Sequence, residues 1–224
     1  MTAPKRRLII TIDGPAGAGK TTVGRRIAEQ LGYRYLDTGA LYRAVALAAN
    51  RQGIQADDDQ ALDELCRRLV LEFADGPNGA RLLSNGIDIT ADIRTPEITM
   101  LASAVSARPV VRRHLLELQR SMGARGGLVC EGRDMGTVVF PDADLKFYLD
   151  ASLKIRAKRR FDEMQGQTQT LDQVQIAMGR RDADDSRRPV APLKPAPDAI
   201  HIDSSEWTVD AVVAQMLVYV GGRY

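Results

Sequence analysis

A glycine-rich stretch near the start of the chain has the residue types of a phosphate-binding loop. Residues 14–21 read Gly-Pro-Ala-Gly-Ala-Gly-Lys-Thr and match the pattern G-x-x-x-x-G-K-[ST] in full. Glycines let the backbone close around a triphosphate, Lys20 can bridge its β- and γ-phosphates, and the Thr21 hydroxyl can ligate Mg²⁺. We therefore predict a site for ATP and Mg²⁺ formed by Gly14, Pro15, Ala16, Gly17, Ala18, Gly19, Lys20, Thr21 and Thr22.

A phosphate loop alone does not separate a kinase from a GTPase, a motor or another ATPase. The chain contains no Asn-Lys-x-Asp guanine signature, and no predicted strand ends in the paired acidic residues of ATPases that activate water. Transfer of a phosphoryl group to a second anion remains, and such a reaction needs several arginines to neutralise the acceptor and the transferring group.

Three segments supply hydroxyls and arginines of this kind. In the first, Leu36-Asp37-Thr38-Gly39-Ala40-Leu41-Tyr42-Arg43, a hydroxyl at a helix start and an arginine one turn later suit a phosphate. The alternative is an ordinary helix cap followed by a solvent-facing arginine.

The second segment is Glu131-Gly132-Arg133-Asp134-Met135-Gly136-Thr137, which follows an apolar strand. Ligands of α/β proteins bind at the carboxyl ends of such strands. Glu131 at a buried strand end suggests a metal-bound water or an arginine partner. A charged surface loop is the alternative.

The third segment, residues 180–188, reads Arg-Arg-Asp-Ala-Asp-Asp-Ser-Arg-Arg. Arg181, Asp185 and Arg188 have the spacing i, i+4 and i+7 of one helix face, which could hold a ribose and its phosphate. A solvated helix end with i,i+4 ion pairs would give the same pattern.

These segments alternate between short apolar strands and longer amphipathic helices, a rhythm typical of an α/β domain with a mainly parallel sheet. We predict strands at 8–12, 35–36, 128–130, 145–149 and 199–202. We predict helices at 20–31, 40–52, 59–68, 109–122, 152–165, 171–186 and 208–220.

Residues 69–90 break this rhythm. Two Asn-Gly pairs, at 78–79 and 85–86, separate short apolar runs, and Asn-Gly is a strong hairpin signal. We predict a small antiparallel insertion of three strands within one domain spanning residues 1–224. Residues 152–188 form a predicted lid region.

The composition of the chain argues against several classes of protein and site. The chain has 224 residues, 44% hydrophobic and 27% charged, and no apolar run approaches the roughly 20 residues that cross a bilayer. A net charge of +2 offers no bulk attraction to nucleic acid polymers, and two distant cysteines with two histidines indicate neither disulfides nor zinc. We expect a cytoplasmic protein without membrane or nucleic acid partners.

Taken together, the motifs resemble the bacterial cytidylate kinases, which convert CMP and dCMP to the diphosphates. The resemblance runs nearly end to end and rests on GPAGAGKTT, LDTGALYR, the hairpin insertion, EGRDMGTVVFPDA, DASLKIRAKRR, RRDADDSRR and VAPL. It implies the fold of the P-loop nucleoside monophosphate kinases, with a five-stranded, mainly parallel sheet, a small β insertion and a short helical lid. The family is typically monomeric.

The resemblance also implies roles for residues in the acceptor site. By analogy, the acceptor phosphate is bound by Thr38, Arg43, Arg133 and Arg188, and the sugar hydroxyls by Arg181 and Asp185. The base is contacted by Ser103, Arg112 and Asp134. The chemistry agrees, because a carboxylate accepts from the cytosine N4 amino group but repels the O4 acceptor of uracil.

Catalysis is expected to rest on Lys20, Arg133 and Arg188, with Glu131 holding Mg²⁺ through water. Arg156, Arg159 and Arg160 are further catalytic candidates: they precede Gln165-Gly166-Gln167-Thr168 and resemble the family's lid, which closes over ATP and stabilises the transferring phosphoryl group. Which of these three arginines points inward is left open. So is the relative use of CMP and dCMP.

Two other functions compete with this interpretation. One is a different small-molecule P-loop kinase, for example one acting on shikimate or gluconate, against which EGRDMG and RRDADDSRR argue. The other is a nucleotide-sensing or nucleic-acid-binding module, which would bind ATP without turnover and which the near-neutral charge disfavours.

Overall fold

The strands and helices are those of a computed structural model, which describes residues 7–74, 80–164 and 169–223. The strands are β1 (Ile9–Asp13), β2 (Arg34–Asp37), β3 (Leu71–Ala74), β4 (Arg81–Ser84), β5 (Ile87–Asp88), β6 (Leu128–Gly132), β7 (Leu145–Asp150) and β8 (Ile200–Asp203). The helices are α1 (Lys20–Leu31), α2 (Thr38–Arg51), α3 (Asp59–Arg68), α4 (Pro96–Ser106), α5 (Pro109–Gly123), α6 (Leu153–Glu163), α7 (Leu171–Arg187) and α8 (Val209–Gly221). A 3-10 turn spans Asp92–Arg94 and a π-helical turn spans Met135–Val139.

The chain divides into two compact units. The first comprises Met1–Asp37 and Met122–Tyr224, and the second comprises Thr38–Ser121. None of the helices within the described part of the chain is both long and apolar enough to cross a membrane.

The first unit is built on a five-stranded sheet with the order β2-β6-β1-β7-β8, in which every pair is parallel. β1 lies in the middle, and its last residue, Asp13, is in register with Gly132 of β6 and Tyr148 of β7. Parallel strands buried on both faces are apolar throughout. Ile10, Ile12 and Phe147 are accordingly almost completely buried.

Helices cover this sheet through apolar faces at helical spacing. Val23 and Ile27 of α1 and Val212 and Met216 of α8 belong to the same buried core as the strands. Burial of each large side chain contributes on the order of 1.5–3 kcal/mol. The packed sheet therefore gives a rigid edge on which the strand-end residues are positioned.

The second unit contains α2 to α5 and the three-stranded antiparallel sheet β3-β4-β5. Asn85 and Gly86 lie between β4 and β5 with φ values of 49° and 80°, as a two-residue hairpin turn requires. The fold class and the antiparallel insertion are thus confirmed. The other predicted turn, Asn78-Gly79, lies outside the described residues.

Each predicted strand and helix overlaps one of these elements, but the sequence prediction left residues 91–108 without a helix. The structure has α4 there, begun by Thr95, whose hydroxyl accepts from the Ile98 amide at 3.2 Å, and by Pro96 at its first turn. β-branched and hydroxyl residues lower its helix propensity. The predicted helix 152–165 ends at Glu163, and residue 165 lies outside the described residues.

Candidate active site

The predicted phosphate loop connects β1 to α1 at the carboxyl end of the sheet. Gly14 has a φ of 147°, and a Cβ there would overlap the carbonyl oxygen of Leu149 on β7. Gly19 caps α1 in a left-handed conformation with a φ of 93°. The glycines are therefore required by backbone geometry, and the loop leads directly into the N-terminus of α1, where the amide groups favour an anion.

Lys20 begins α1 and is buried, with its Nζ donating to the Pro15 carbonyl oxygen at 2.6 Å. Burial and the nearby guanidinium of Arg133 lower the pKa of Lys20 from 10.5 to about 7, with a smaller contribution from Arg181. Glu131 and Asp13 oppose this shift. Three cationic groups thus lie close together at the phosphate loop.

Thr21 and Glu131, the two predicted magnesium residues, are joined directly. The Thr21 hydroxyl donates to Glu131 Oε1 at 2.7 Å, and the Tyr35 hydroxyl donates to the same oxygen. Burial and the Asp37 carboxylate raise the pKa of Glu131, while Lys20 and these hydrogen bonds oppose the increase. The Glu131 carboxylate therefore lies in a pocket that would favour a nearby cation.

Sequence reasoning missed Tyr35. Burial, together with Glu131 and Asp37, raises the pKa of its hydroxyl well above the ordinary value, so it stays a hydrogen-bond donor. The order β2-β6 brings Tyr35 to Glu131, although the two residues are far apart in sequence. A single tyrosine in the short strand Arg34–Asp37 gave no signal of this contact.

Asp13 is a second residue that sequence reasoning missed. It is the last residue of β1, directly before Gly14, and its carboxylate oxygens accept from the Met135 and Gly136 amides at 2.8 Å each. Burial raises the pKa of Asp13 to about 6, although those two hydrogen bonds lower it. An acidic residue ending a central strand just before a phosphate loop was the available signal.

The segment after β6 carries Arg133 and Asp134 toward α7. Arg133 Nε donates to Asp185 Oδ2 at 2.8 Å, and Arg188 Nη2 donates to Asp134 Oδ1 at 3.4 Å. Arg188 Nε also donates to the Ala191 carbonyl oxygen at 2.6 Å. Two crossed ion pairs therefore join two of the predicted acceptor segments.

Asp185 lies among three arginines. Burial raises the pKa of Asp185, but Arg133, Arg181 and Arg188 outweigh it, and the net shift is downward. Arg181 and Asp185 are one turn apart on α7, as predicted. Arg188 is different, because α7 ends at Arg187 and Arg188 is its extended cap residue, so the prediction of a single helix face for all three is wrong.

The three predicted lid arginines of α6 have different surroundings. Arg156 is buried and donates to the Ala16 carbonyl oxygen of the phosphate loop at 3.1 Å and to Asp182 of α7 at 2.7 Å. Arg159 donates to Ser204 Oγ at 3.0 Å, and Arg160 lies within 3.4 Å of Glu163 at the surface. Arg156 is thus the one that points inward. The lid segment 165–168 lies outside the described residues.

The remaining predicted residues belong to the second unit or to the exposed face of α1. Thr38 is buried at the start of α2, Arg43 follows on the same helix, and Thr22 is exposed on α1. The last two predicted residues, Ser103 and Arg112, are both hydrogen-bonded to Ser106. The Ser106 hydroxyl donates to the Ser103 carbonyl oxygen at 2.8 Å, and Arg112 donates to the Ser106 carbonyl oxygen at 3.1 Å.

Arg112 is buried, and its guanidinium carbon lies 5.6 Å from the centre of the Tyr42 ring. Stacking and the hydrogen bond from α5 to the Ser106 carbonyl fix the orientation of this guanidinium. Within the second unit, Ser106 thus links the backbone of Ser103 to the guanidinium of Arg112.

The chain is similar to curated proteins over nearly its whole length. The family model described as Cytidylate kinase matches residues 10–221. The cytidylate kinase of Geobacter sp. (strain M21) is 50% identical over 211 residues, covering 93% of this chain and 91% of the relative. That of Geobacter sulfurreducens is 50% identical over 216 residues, covering 96% and 93% respectively.

Among solved structures, an uncharacterized protein from Eubacterium ventriosum ATCC 27560 aligns with a TM-score of 0.50 and 11% identity. The alignment covers 96% of this chain and 99% of that chain. At this identity the likeness concerns the fold alone.

Proposed function

The chain belongs to the cytidylate kinase family, and we propose that it transfers the γ-phosphoryl group of ATP to CMP, and also to dCMP, giving ADP and the cytidine diphosphate. An oxygen of the acceptor phosphate attacks the γ-phosphorus, and the bond from that phosphorus to the bridging oxygen of ADP breaks. Because little covalent chemistry falls to the protein, its task is positioning and charge compensation.

One observation carries the proposal beyond family membership: Lys20 of the phosphate loop lies close to Arg133 and Arg181. Three cations held near one another are unfavourable unless anions compensate them. A triphosphate and an acceptor phosphate would supply that compensation. The carboxylate of Asp185 partly offsets the positive charge of this cluster.

In this proposal, the donor is held by the amides of residues 14–19 and by Lys20, whose ammonium follows the charge that develops on the transferring oxygens. Arg133 and Arg188 contact the acceptor phosphate. Arg181 and Asp185 contact the sugar hydroxyls. The ion pairs observed between these side chains support their common role, because they fix the guanidinium groups before a substrate binds.

Base selection rests on hydrogen-bond polarity. Asp134 can accept from the cytosine N4 amino group, and donors from Ser103 and Arg112 suit the O2 and N3 acceptors of cytosine. The hydrogen bond from Arg112 to the Ser106 carbonyl and the contact of Arg112 with the Tyr42 ring support the assignment of Arg112, because they hold its guanidinium in one orientation. Ser103 is proposed on the chemistry of its hydroxyl. We also propose Thr38 and Arg43 as ligands of the acceptor phosphate, because a hydroxyl and a guanidinium can both donate hydrogen bonds to it.

Thr21 and Glu131 fit a magnesium ion, because a hydroxyl and a carboxylate oxygen 2.7 Å apart are donors that this ion prefers. Among the described residues no group of three histidine, cysteine, aspartate or glutamate side chains could hold a metal. Mg²⁺ is usually bound through one or two carboxylates, with water and substrate phosphates as its other ligands. When bound, Mg²⁺ neutralises charge on the β- and γ-phosphates.

We propose that Arg156 holds the phosphate loop through its hydrogen bond to the Ala16 carbonyl oxygen. Arg159 and Arg160 are proposed to belong to the lid that closes over ATP. A loop held by a buried arginine keeps its amides aimed at the triphosphate.

The proposal is tested by measuring ADP release from ATP and Mg²⁺ with CMP, dCMP, UMP, AMP, GMP and shikimate as separate acceptors. We expect CMP and dCMP to give the highest kcat/KM. Preference for shikimate or for a purine nucleotide would contradict the proposal, and so would ATP binding without acceptor-dependent turnover, which would indicate a sensor.

A further inference from the structure

The carboxylate of Asp13 connects two parts of the first unit that handle different substrates in the proposed function. It is 3% exposed, and each of its oxygens accepts one backbone N–H, from Met135 to Oδ1 and from Gly136 to Oδ2, both at 2.8 Å. Both oxygens of a buried carboxylate are thus used on two successive amides of one turn.

Those amides begin the π-helical turn Met135–Val139, which directly follows Arg133 and Asp134. The register of β1 with β6 places Asp13 beside Gly132, so the chain leaves β6, passes through Arg133 and Asp134 and returns to Asp13. π-helical turns frequently occur at functional sites. The position of Arg133 and Asp134 is therefore fixed at both ends by β1.

Gly136 shows how closely this turn approaches β1. A Cβ at Gly136 would lie 3.0 Å from Thr11 Oγ1 and 3.1 Å from Lys146 Cδ, so a larger residue would require these side chains or the turn to shift by a few tenths of an ångström. Thr11 and Asp13 are two residues apart and share one face of β1. The strand and the turn thus form one rigid contact.

On its other side, Asp13 precedes Gly14, the first residue of the phosphate loop, and its negative charge favours the protonated form of Lys20. The charged groups that act on Asp13 are Asp134, which opposes its ionisation, and Lys20, which favours it. One side chain therefore contacts the acceptor turn and influences the lysine that binds the donor.

We propose that Asp13 is a positioning residue, which holds the turn carrying Arg133 and Asp134 at a fixed distance from the phosphate loop and so sets the alignment of the two substrates. This inference rests on the proposed function. Alignment errors of about 1 Å cost on the order of 10²-fold in rate, so a hydrogen-bonded spacer between donor and acceptor sites has a direct kinetic role.

Asp13→Asn is the sharpest test. Its single carbonyl oxygen can accept from one of the two amides, while its NH₂ group faces the other donor, so one end of the turn is released. We expect kcat/KM for CMP to fall by about 10- to 100-fold and the KM for CMP to rise. The ratio of kcat/KM for CMP to that for UMP should also fall, and the KM for ATP should change least.

Thr11→Val provides the matched control. Its side chain is buried on the same strand, and its hydroxyl has no hydrogen-bond partner among the described residues. Valine keeps the branched shape and removes only a buried hydroxyl without a partner in the described part of the chain, so all kinetic constants should stay within about twofold. Gly136→Ala displaces the same turn without touching the carboxylate, and it should reproduce the kinetic signature of Asp13→Asn.

Wild-type activity with CMP is measured first, so that failure of the proposed function is recognised separately. A folded Asp13→Asn protein with lower stability but unchanged KM for CMP and unchanged CMP-to-UMP ratio would overturn the inference. If Asp13→Asn does not fold, Gly136→Ala decides: unchanged constants overturn the inference, and a raised KM for CMP with a lower CMP-to-UMP ratio supports it.

Discussion

Asp134→Asn is the substitution that examines acceptor selection most specifically. It keeps the shape of the side chain but replaces a carboxylate, which only accepts hydrogen bonds, by an amide that can also donate. In the proposed complex, a donor at this position would favour the O4 of uracil over the N4 amino group of cytosine. The variant should therefore lose preference for CMP over UMP.

The size of the effect follows from the geometry. One hydrogen bond that distinguishes bases is worth about 1–3 kcal/mol, so the CMP-to-UMP ratio of kcat/KM should fall by roughly 5- to 150-fold. Asp134 also pairs with Arg188 at 3.4 Å, and the two side chains are only 3% and 7% exposed. Losing this partner affects stability as well as recognition.

Breaking a buried ion pair costs about 3–5 kcal/mol when the remaining charge is uncompensated. Arg188 keeps its hydrogen bond to the Ala191 carbonyl oxygen at 2.6 Å and stays close to Asp185. We therefore expect a smaller loss in the free energy of unfolding, about 1–3 kcal/mol. Kinetics must be measured well below the unfolding midpoint.

The assay measures kcat/KM for CMP and for UMP separately at saturating ATP, with urea unfolding alongside. Asp210→Asn is the control, because Asp210 is an acidic side chain on α8 that is 86% exposed. The CMP-to-UMP ratio of kcat/KM in Asp210→Asn should match that of the wild-type protein. An unchanged ratio in Asp134→Asn would remove Asp134 from base recognition, and an equal fall in the control would show that the effect is not local.

Four further predictions concern the donor side. Lys20→Ala should lower kcat by at least ~10²-fold in acceptor-dependent ADP release, and near-normal turnover would mean that the loop does not bind the reacting phosphates. The pKa of Lys20 is about 7 in the folded chain and 10.5 in the reference state, so between these values the unfolded chain binds the additional proton and folding becomes more favourable as pH rises. Urea unfolding should thus show wild type gaining stability relative to Lys20→Met across that window; a constant difference would exclude the shift. Tyr35→Phe removes a donor to Glu131 and should raise the pKa of that carboxyl further, so the Mg²⁺ concentration for half-maximal rate should increase, most at acidic pH; an unchanged Mg²⁺ requirement would separate Tyr35 from the metal site. Arg156→Lys cannot keep the contacts to both Ala16 and Asp182 and should raise the KM for ATP more than the KM for CMP; equal changes in both would assign Arg156 to general stability.

Local signals explain what the sequence could predict. The strands are short apolar runs, the phosphate loop is contiguous, and Asn85-Gly86 is a turn whose backbone conformation only a few residues adopt easily. Each of these features depends on neighbours in the chain, so periodicity and turn chemistry were sufficient to infer them. The fold class followed from their alternation.

Contacts between distant strands were beyond such signals. Tyr35 and Glu131 meet because β2 lies beside β6, and the strand order is a property of the whole sheet. Asp13 reaches the turn after β6 for the same reason. A carboxylate at a strand end suggests a site, but its partners depend on which strand becomes its neighbour.

Spacing on a helix was also an incomplete guide. Arg156, Arg159 and Arg160 were predicted together as lid arginines, yet of the three only Arg156 is buried, because it contacts both α7 and the phosphate loop. Likewise, Arg188 continues the spacing of Arg181 and Asp185 but lies beyond the end of α7. Packing against other elements decides both cases.

Phosphorus NMR of ATP, Mg²⁺ and CMP with a catalytic amount of the protein follows the γ-phosphate itself and shows whether it is transferred to a second phosphate group, as proposed for the site around Lys20, Arg133 and Arg181. We expect the γ-phosphate resonance of ATP to be replaced by the β-phosphate resonance of CDP, in equal amount to the ADP formed. Conversion of the γ-phosphate to inorganic phosphate, with CMP unchanged, would contradict the proposal.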